Sequence, residues 1–199
     1  MKQHTIILAT RNAHKAQEIA AMLPTRFTVK TLADFPAAPD VPETGTTFAA
    51  NAAQKAEGIS AVLPGLVLAD DSGLCVDALN GSPGVLSARY AGGHGNDAAN
   101  NRKLLTELQT MQGQAPFHAR FVCAMSLARN GKQVAAFEGK VEGSISLSPR
   151  GTTGFGYDPL FVPDGYSSTF AEIAPSEKNA ISHRARALAQ FVEYLESFE

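Results

Sequence analysis

Residues 66–73, with the sequence LVLADDSG, decide the fold predicted for this chain. Leu66 to Ala69 is a short apolar run, typical of a buried strand, and it leads directly into Asp70 and Asp71. The pattern predicts that both carboxylates lie at the carboxyl end of that strand, where open α/β sheets bind their ligands. Adjacent acids repel each other, and a cation such as Mg²⁺ would relieve that cost. The alternative is that the pair only caps the turn that follows.

Strand and helix patterns alternate on both sides of this stretch. Thr5 to Ala9 is a β-branched apolar run that predicts another buried strand. Apolar residues between Ala16 and Leu23 then recur at helical spacing. Further helices are predicted to start at Thr46 or Thr47, at Asp97 and near Ile181. The alternation of elements indicates an α/β fold.

A β-hairpin interrupts this alternation in the second half of the chain. Apolar and polar residues alternate from Phe117 to Leu127, and Asn130-Gly131 supplies a type I′ turn before the chain returns through Val141. A hairpin among strand–helix–strand units implies a mixed sheet. The sequence therefore predicts one α/β domain over residues 1–199 with a mixed β-sheet. Residues 80–95, which are rich in Gly and Ser, are expected to form a loop.

Composition excludes several classes of protein. The chain has 199 residues, of which 44% are hydrophobic and 18% charged, as in a soluble globular protein. A formal net charge of −2 argues against binding of long nucleic acid, which needs a basic excess. No apolar segment approaches the roughly 20 residues of a membrane span. The two cysteines, Cys75 and Cys123, are expected to be free thiols of a cytoplasmic protein.

A candidate anion site lies where the first strand turns into the first helix, at Thr10-Arg11-Asn12-Ala13-His14-Lys15. A helix start offers unpaired N–H groups and the positive end of the helix dipole, and lysine adds a full charge, so a phosphate would fit there. The alternative is an ordinary asparagine cap with a solvated lysine.

A second group of polar residues precedes and enters the second helix. Glu43, on a proline-rich loop, could add a carboxylate oxygen to those of the aspartate pair, and oxygen ligands suit Mg²⁺. Asn51 and Lys55 are one turn apart and share a helix face. Spacing alone allows Lys55 equally to be a surface lysine.

Two further segments carry groups that could bind a base. Gly154-Phe155-Gly156-Tyr157-Asp158-Pro159 places an aromatic ring between glycines, which could stack on a base, with Asp158 as a hydrogen-bond acceptor. The alternative is a glycine-rich bulge with a core phenylalanine. Lys178, Ser182, His183 and Arg184 form a basic cluster near the last helix that could contact a carbonyl oxygen or a phosphate, or simply be solvated.

The order of these motifs is more specific than any one of them. The chain contains, in succession, Thr10-x-Asn12-x-x-Lys15, Glu43-Thr44-Gly45-x-Thr47-Phe48 with Asn51 and Lys55, Asp70-Asp71-Ser72-Gly73-Leu74, Pro83-Gly84-x-x-Ser87-Ala88-Arg89-Tyr90, Phe155-Gly156-Tyr157-Asp158-Pro159 and Ser182-His183-Arg184. This succession closely resembles the inosine triphosphate pyrophosphatase family, hydrolases of dITP, ITP and XTP. The resemblance covers nearly the whole chain, and Leu86 stands where that family commonly has Tyr.

The resemblance implies a fold and a reaction. The expected fold has a long mixed sheet, flanking helices and two lobes around a nucleotide-binding cleft, in a homodimer. The expected reaction is Mg²⁺-dependent hydrolysis of a non-standard purine nucleoside triphosphate between the α- and β-phosphates, which yields the monophosphate and pyrophosphate.

The resemblance also implies roles for particular residues. Glu43 and Asp71 would hold Mg²⁺, with Asp71 as general base and Lys15 and Lys55 neutralising phosphate charge. The residues from Thr10 to Lys15 would bind the triphosphate and Ser72 would contact the nucleotide. The base pocket would be lined by Phe155, Gly156, Tyr157, Asp158, Lys178, His183 and Arg184.

Two other functions compete with this interpretation. One is a pyrophosphatase of similar architecture, of the septum-formation-inhibitor type, that acts on pyrimidine nucleotides; the Phe155 and His183-Arg184 motifs argue against it. The other is a non-catalytic nucleotide sensor or RNA-binding module, which the absence of Lys15, Glu43 or Asp71 would have favoured.

Overall fold

The computed structural model describes residues 4–93, 95–111 and 115–197, so the domain predicted over 1–199 and the loop predicted over 80–95 include positions outside the described part. The strands are β1 (His4–Leu8), β2 (Phe27–Thr31), β3 (Leu66–Val76), β4 (Phe117–Arg129), β5 (Lys132–Ile145) and β6 (Phe161–Pro163). The α-helices are α1 (Ala13–Met22), α2 (Phe48–Ser60), α3 (Asp97–Gln109), α4 (Pro175–Ile181) and α5 (His183–Glu196).

The strands form one mixed sheet in the order β2-β1-β3-β4-β5-β6. β1 pairs in parallel with both β2 and β3, whereas β6 runs antiparallel to β5. The turn between β4 and β5 has positive φ angles of 53° at Asn130 and 75° at Gly131, as a type I′ turn requires. The predicted mixed sheet and hairpin are therefore confirmed.

The chain divides into two compact units. The first unit contains the chain up to Asp71, Cys123–Gly139 and the chain from Arg184 onward, and the second contains Ser72–Val122 and Lys140–His183. Strands β3, β4 and β5 contribute residues to both. That residues 1–199 act as a single domain stays a prediction.

The first unit has a hydrophobic core on each face of its strands. Ile6 of β1 packs in one core with Ile19 of α1 and Phe191 of α5. Its neighbour Ile7 packs in the other core, with Ile59 of α2. Side chains of a strand alternate between faces, so successive apolar residues bury on both sides, and each such burial contributes about 1.5–3 kcal/mol. The continuous apolar run at the start of the chain follows from this double covering.

The second unit is built around aromatic rings. The ring centroid of Phe121 in β4 lies 4.8 Å from that of Phe161 and 6.0 Å from that of Phe170. Leu104 and Leu108 of α3 belong to the same core. The second unit therefore has a core of its own.

Several boundaries differ from the prediction. β3 continues to Val76, so the aspartate pair lies within the strand and not at its end. The last helix is two helices, because Ser182 is extended (φ −66°, ψ 159°) between α4 and α5. The cap of α3 is Asn96, whose side chain accepts from the N–H of Ala99, and not Asp97. Within the segment expected as a loop, a short 3₁₀ helix spans Gly84–Arg89, and another, Asp77–Leu79, lies just before that segment. Among the described residues, no helix is both long enough and apolar enough to span a bilayer.

Candidate active site

The two adjacent aspartates lie on opposite faces of β3. Leu68 belongs to the core shared with α1 and α5, whereas Val67 and Ala69 belong to the core shared with α2. Because strand side chains alternate, Asp70 continues the α1–α5 face and Asp71 the α2 face. Each carboxylate therefore has its own set of partners.

Asp70 is buried among cations. Its Oδ1 lies 2.7 Å from Nζ of Lys15, and its Oδ2 accepts hydrogen bonds from Nε and Nη2 of Arg184 at 3.2 Å and 3.1 Å. The thiol of Cys123 donates to the same Oδ2 at 3.3 Å. Burial alone would raise the pKa of Asp70, but the charges of Lys15, Arg184 and Lys55 outweigh it and hold the pKa well below its usual range. Asp70 is therefore a carboxylate at neutral pH.

Arg184 has a second carboxylate partner. Its Nη1 donates to Oε2 of Glu18, which lies on α1 one turn after Lys15. The side chain of Arg184 is only 1% exposed. The donors that the sequence analysis assigned to a base oxygen thus bond Asp70 and Glu18, and a contact of Arg184 with the base stays a prediction.

The start of α1 is organised by two short polar side chains. Asn12 caps the helix by accepting from the N–H of Lys15 at 3.1 Å, and the hydroxyl of Thr10 accepts from the N–H of Asn12 at 3.1 Å. The Asn12 cap confirms the predicted helix start. Arg11 pairs with Asp40 at 2.9 Å. Ala13 and His14 complete the predicted phosphate segment, and both are exposed.

Asp71 has partners from α2 and from the loop before it. Nδ2 of Asn51 donates to Oδ2 of Asp71 at 3.0 Å. Nζ of Lys55 lies 3.8 Å from Oδ1 of Asp71 and 3.0 Å from Oε1 of Glu43, and it donates to the main-chain oxygen of Asp70 at 2.6 Å. Burial raises the pKa of Asp71. The charges of Lys55 and Lys15 and the hydrogen bond from Asn51 oppose that rise, whereas the charge of Glu43 adds to it. Asn51 and Lys55 therefore lie on one face of α2, as predicted, and both contact Asp71.

Gly45 fits closely beside this group. Its N–H donates to Oδ1 of Asn51 at 2.8 Å, and a Cβ at this position would lie 2.7 Å from Cβ of Ala50. Both polar atoms of the buried Asn51 amide are therefore bonded, one to the loop and one to Asp71. This explains why Asn51 is fixed in a single orientation.

Glu43 and Asp71 are suited to hold one divalent cation. Their oxygens already converge on a single positive group, Nζ of Lys55. Mg²⁺ prefers carboxylate oxygens and keeps several waters or phosphate oxygens as further ligands. Among residues 4–93, 95–111 and 115–197 no cluster of three or more metal-ligating side chains exists. Glu43 and Asp71 could hold such an ion together with waters or phosphate oxygens.

The residues predicted to contact a base form a bonded group in the second unit. Oδ2 of Asp158 accepts from the N–H of Phe155 at 2.9 Å and from Nζ of Lys178 at 2.5 Å. Nζ of Lys178 also lies 5.0 Å from the ring centroid of Phe155, a cation–π distance. The ring of His183 stacks on Phe121, with centroids 4.8 Å apart and planes 12° apart. The structure therefore brings Phe155, Asp158 and Lys178 together, and it places His183 against Phe121.

Tyr157 and Ser72 are placed differently. Tyr157 is 3% exposed, belongs to the hydrophobic core of the second unit and donates its hydroxyl to the main-chain oxygen of Ser87 at 2.9 Å. Burial is also the main cause of the raised pKa of Tyr157. Ser72 is half-buried in β3, directly after Asp71. Contact of either with a nucleotide stays a prediction.

Sequence analysis missed two residues that hold the main chain of Gly156. Oδ2 of Asp97 accepts from the Gly156 N–H at 2.7 Å, and Nδ2 of Asn101 donates to the Gly156 oxygen at 3.0 Å. Asp97 and Asn101 are one turn apart on α3. That i, i+4 spacing was the available signal, but polar pairs on a helix are usually solvated.

The fold and this site define a class. It is an α/β protein in which one strand carries two carboxylates, one beside Lys15 in the first turn of α1 and the other beside Lys55 of α2, a set suited to a phosphate chain and a divalent cation. A family model described as the Ham1 family matches residues 6–194, and the chain belongs to that family.

Individual relatives agree along nearly the whole chain. A dITP/XTP pyrophosphatase of Geobacillus kaustophilus is 53% identical over 192 residues, covering 96% of this chain and 94% of the relative. A solved HAM1 protein from Coxiella burnetii has a TM-score of 0.87 at 39% identity, covering 98% of this chain and 100% of that one. A structure from Mycobacterium abscessus called a nucleoside-triphosphatase / dITP/XTP pyrophosphatase has a TM-score of 0.74 at 46% identity, covering 94% and 98%.

Proposed function

We propose that this chain is a nucleoside triphosphate pyrophosphatase that hydrolyses dITP, ITP and XTP between the α- and β-phosphates. The observation that carries the proposal is that Lys55 contacts Glu43 and Asp71 in the first unit. Lys15 contacts the adjacent Asp70. The names of the relatives, dITP/XTP pyrophosphatases, support the same substrates for this chain. The products would be a nucleoside monophosphate and pyrophosphate.

The start of α1 supports binding of the triphosphate. Helix N–H groups and the helix dipole favour an anion there, and Lys15 adds a positive charge one turn into the helix. Lys15 is 15% exposed in its side chain, so it is desolvated enough for its charge to be effective and still accessible to a ligand. Thr10 and Asn12 fix the turn that presents these groups.

Asp71 is proposed as the general base. A water oxygen would form a bond to the α-phosphorus while the bond from that phosphorus to the bridging oxygen breaks, and the water proton would pass to the Asp71 carboxylate. Asn51 orients the carboxylate by donating to Oδ2. Lys55, beside Oδ1, would stabilise the charge that develops on the phosphates.

Glu43 and Asp71 are proposed to hold Mg²⁺. When bound, the ion would neutralise phosphate charge and favour departure of pyrophosphate. The support in this structure is the oxygen-only donor set and its convergence on one cationic position.

The second unit is proposed to recognise the base. Phe155 would offer a stacking face, and Lys178 and His183 would supply donors suited to the oxygen at position 6 of hypoxanthine or xanthine. Adenine carries a donor amino group at that position, so a donor in the pocket would lose its partner, and the cost of a desolvated unpaired donor favours rejection of ATP.

We also propose a cellular compartment and an oligomeric state for the protein. We place it in the cytoplasm, because both cysteines are free thiols, as is usual in a reducing compartment. We expect a homodimer from the family resemblance, and light scattering after size exclusion would measure the mass.

One experiment tests the proposed reaction, cofactor and substrate together. Pyrophosphate release would be measured with dITP, ITP, XTP, ATP and dTTP, each with Mg²⁺ and with EDTA. We expect release from the first three with Mg²⁺ and little from the others. Release chiefly from dTTP would favour the pyrimidine enzyme, and binding of dITP without release would favour a nucleotide sensor; either result would overturn the proposal.

A further inference from the structure

Four charged side chains of the first unit form a connected network, called here the charge network: Lys15, Asp70, Arg184 and Glu18. Lys15 contacts Oδ1 of Asp70 at 2.7 Å, and Arg184 bonds Oδ2 of Asp70 through Nε and Nη2. Nη1 of Arg184 bonds Glu18. Glu18 lies three residues after Lys15 on α1, and residues i and i+3 lie on one side of a helix, so both ends of the charge network are on that side of α1.

The inner half of the charge network, Asp70 and Arg184, is almost inaccessible to water. The side chains of Asp70 and Arg184 are each 1% exposed, whereas those of Lys15 and Glu18 are each 15% exposed. Buried charges keep their partners because an unpaired one is costly, and a guanidinium imposes fixed directions on its bonds. The buried half is therefore held in place by its own bonds, and of the two partly exposed members the lysine is the one that suits an anionic ligand.

We propose that Glu18 and Arg184 are positioning residues for Lys15. Glu18 fixes the rotation of the Arg184 guanidinium, the guanidinium fixes Oδ2 of Asp70, and the carboxylate then presents Oδ1 to Lys15. The inference rests on the proposed function in one respect, the binding of phosphates by Lys15. It assigns Arg184 to the phosphate side of the site through Asp70, a role separate from reading the base.

A comparison of two variants isolates positioning from charge. Glu18→Met and Glu18→Gln both remove one negative charge near the anion site, and if net charge alone mattered both would bind a phosphate chain more tightly. Only glutamine keeps an oxygen that can accept from Nη1 of Arg184. A loss in Glu18→Met that Glu18→Gln restores is therefore the signature of positioning.

The probe is inorganic tripolyphosphate, titrated calorimetrically into the full chain without Mg²⁺. We expect Glu18→Met to weaken binding about tenfold and Glu18→Gln to stay within about twofold of the unmodified protein. In a Lys15→Met background, Glu18→Met should have no further effect, because the residue through which it acts is gone. Glu193→Gln, an exposed glutamate on α5, is the matched control and should bind like the unmodified protein.

Each contrary result overturns the proposal. Binding by Glu18→Met that equals or exceeds that of the unmodified protein would show that Glu18 positions nothing. An equal loss in the Lys15→Met background would show that Glu18 acts elsewhere. If Glu18→Met does not fold by circular dichroism, Arg184→Lys replaces it. That change keeps the charge but lacks the fork, so it should weaken binding, and unchanged binding would reject the inference.

Turnover separates this inference from the proposed function. With dITP and dATP, Glu18→Met should lower kcat/KM for both by the same factor, since positioning of Lys15 is indifferent to the base. A change in the ratio of kcat/KM for dITP to kcat/KM for dATP would assign the charge network to base recognition and overturn the inference. Tripolyphosphate binding that follows the expected pattern in a protein that hydrolyses no nucleotide would reject the proposed function alone.

Discussion

Asp70 and Asp71 are consecutive in β3, yet they share no side-chain hydrogen-bond partner among those found: Asp70 bonds Arg184 and Cys123, and Asp71 bonds Asn51. The alternation of strand side chains places one carboxylate against α1 and α5 and the other against α2. Asp70 is enclosed by cations, whereas Asp71 contacts one lysine, Lys55, and lies near a second acid, Glu43. Their substitutions should therefore have different effects.

Asp71→Asn should abolish turnover and leave the fold intact. Asparagine keeps the shape and an oxygen for the Asn51 amide but cannot accept a proton from water, so kcat should fall about 10²- to 10⁴-fold. Pyrophosphate release from dITP measures the loss, circular dichroism checks the fold, and the exposed Asp164→Asn serves as control. A rate near that of the unmodified protein would exclude Asp71 as the base.

Asp70→Asn should instead destabilise the protein. It leaves Arg184 and Lys15 without the negative charge that neutralises them, and removing one partner of a buried ion pair costs about 3–5 kcal/mol. Urea unfolding followed by far-UV circular dichroism would give the change in the free energy of unfolding. A change below about 1 kcal/mol would mean that water already screens this pair.

Lys55→Met should increase the affinity for a divalent cation while lowering turnover. The ammonium lies between Glu43 and Asp71, so its removal vacates a cationic position between two carboxylates. Mn²⁺ binding followed by electron paramagnetic resonance, without nucleotide, should tighten severalfold relative to the exposed control Lys132→Met. Weaker Mn²⁺ binding would show that the two carboxylates are not the metal ligands.

Gly154→Ala should destabilise the second unit more than Gly165→Ala. Both glycines have positive φ, 76° and 84°, but only at Gly154 would a Cβ meet another atom, Oδ2 of Asp158 at 2.0 Å. That oxygen holds Phe155 and Lys178, so the clash adds to the backbone strain of about 1 kcal/mol that both variants share. Differential scanning fluorimetry should show the larger fall in Tm for Gly154→Ala, and equal falls would contradict the role of Asp158.

Both cysteines should react with Ellman's reagent more slowly than free cysteine at pH 8. Burial, before any nearby charge, raises the pKa of Cys75, and burial followed by the charge of Asp70 raises the pKa of Cys123 well above its usual value. A raised pKa means less thiolate at pH 8. As the pH is increased, the reaction rate at Cys75 should therefore continue to rise beyond pH about 8.5, the usual pKa of a cysteine thiol. Cys75→Ser should leave no thiol reactive before denaturation, and rapid reaction of both thiols in the native protein would contradict the burial of Cys123.

The sequence predicted elements whose signals are local. The β4–β5 hairpin follows from alternation and from Asn130-Gly131, and the start of α1 follows from Asn12, because turn and cap chemistry act over a few residues. The full length of β3 was not predicted, because two aspartates look like the end of a buried strand. They stay in it because Lys15 and Arg184, both distant in sequence, neutralise Asp70.

The same distinction applies to the candidate site. The pairing of Asn51 with Lys55 could be predicted from helix geometry, and the structure places both beside Asp71. The break between α4 and α5 at Ser182 could not be predicted, because no proline or glycine marks it and the apolar stripe continues past it. The role of Glu18 was equally hidden, since its partner Arg184 comes from the other end of the chain.

The two-sided arrangement of Asp70 and Asp71 also limits how the gene can change in length. One codon inserted or deleted within residues 66–69 would reverse the parity of the strand and send each carboxylate to the wrong helix. Two codons would preserve it. Length variation across homologues should therefore be confined to the connecting segments, while the spacing between the first residue of β3 and this pair stays constant or changes only by even numbers.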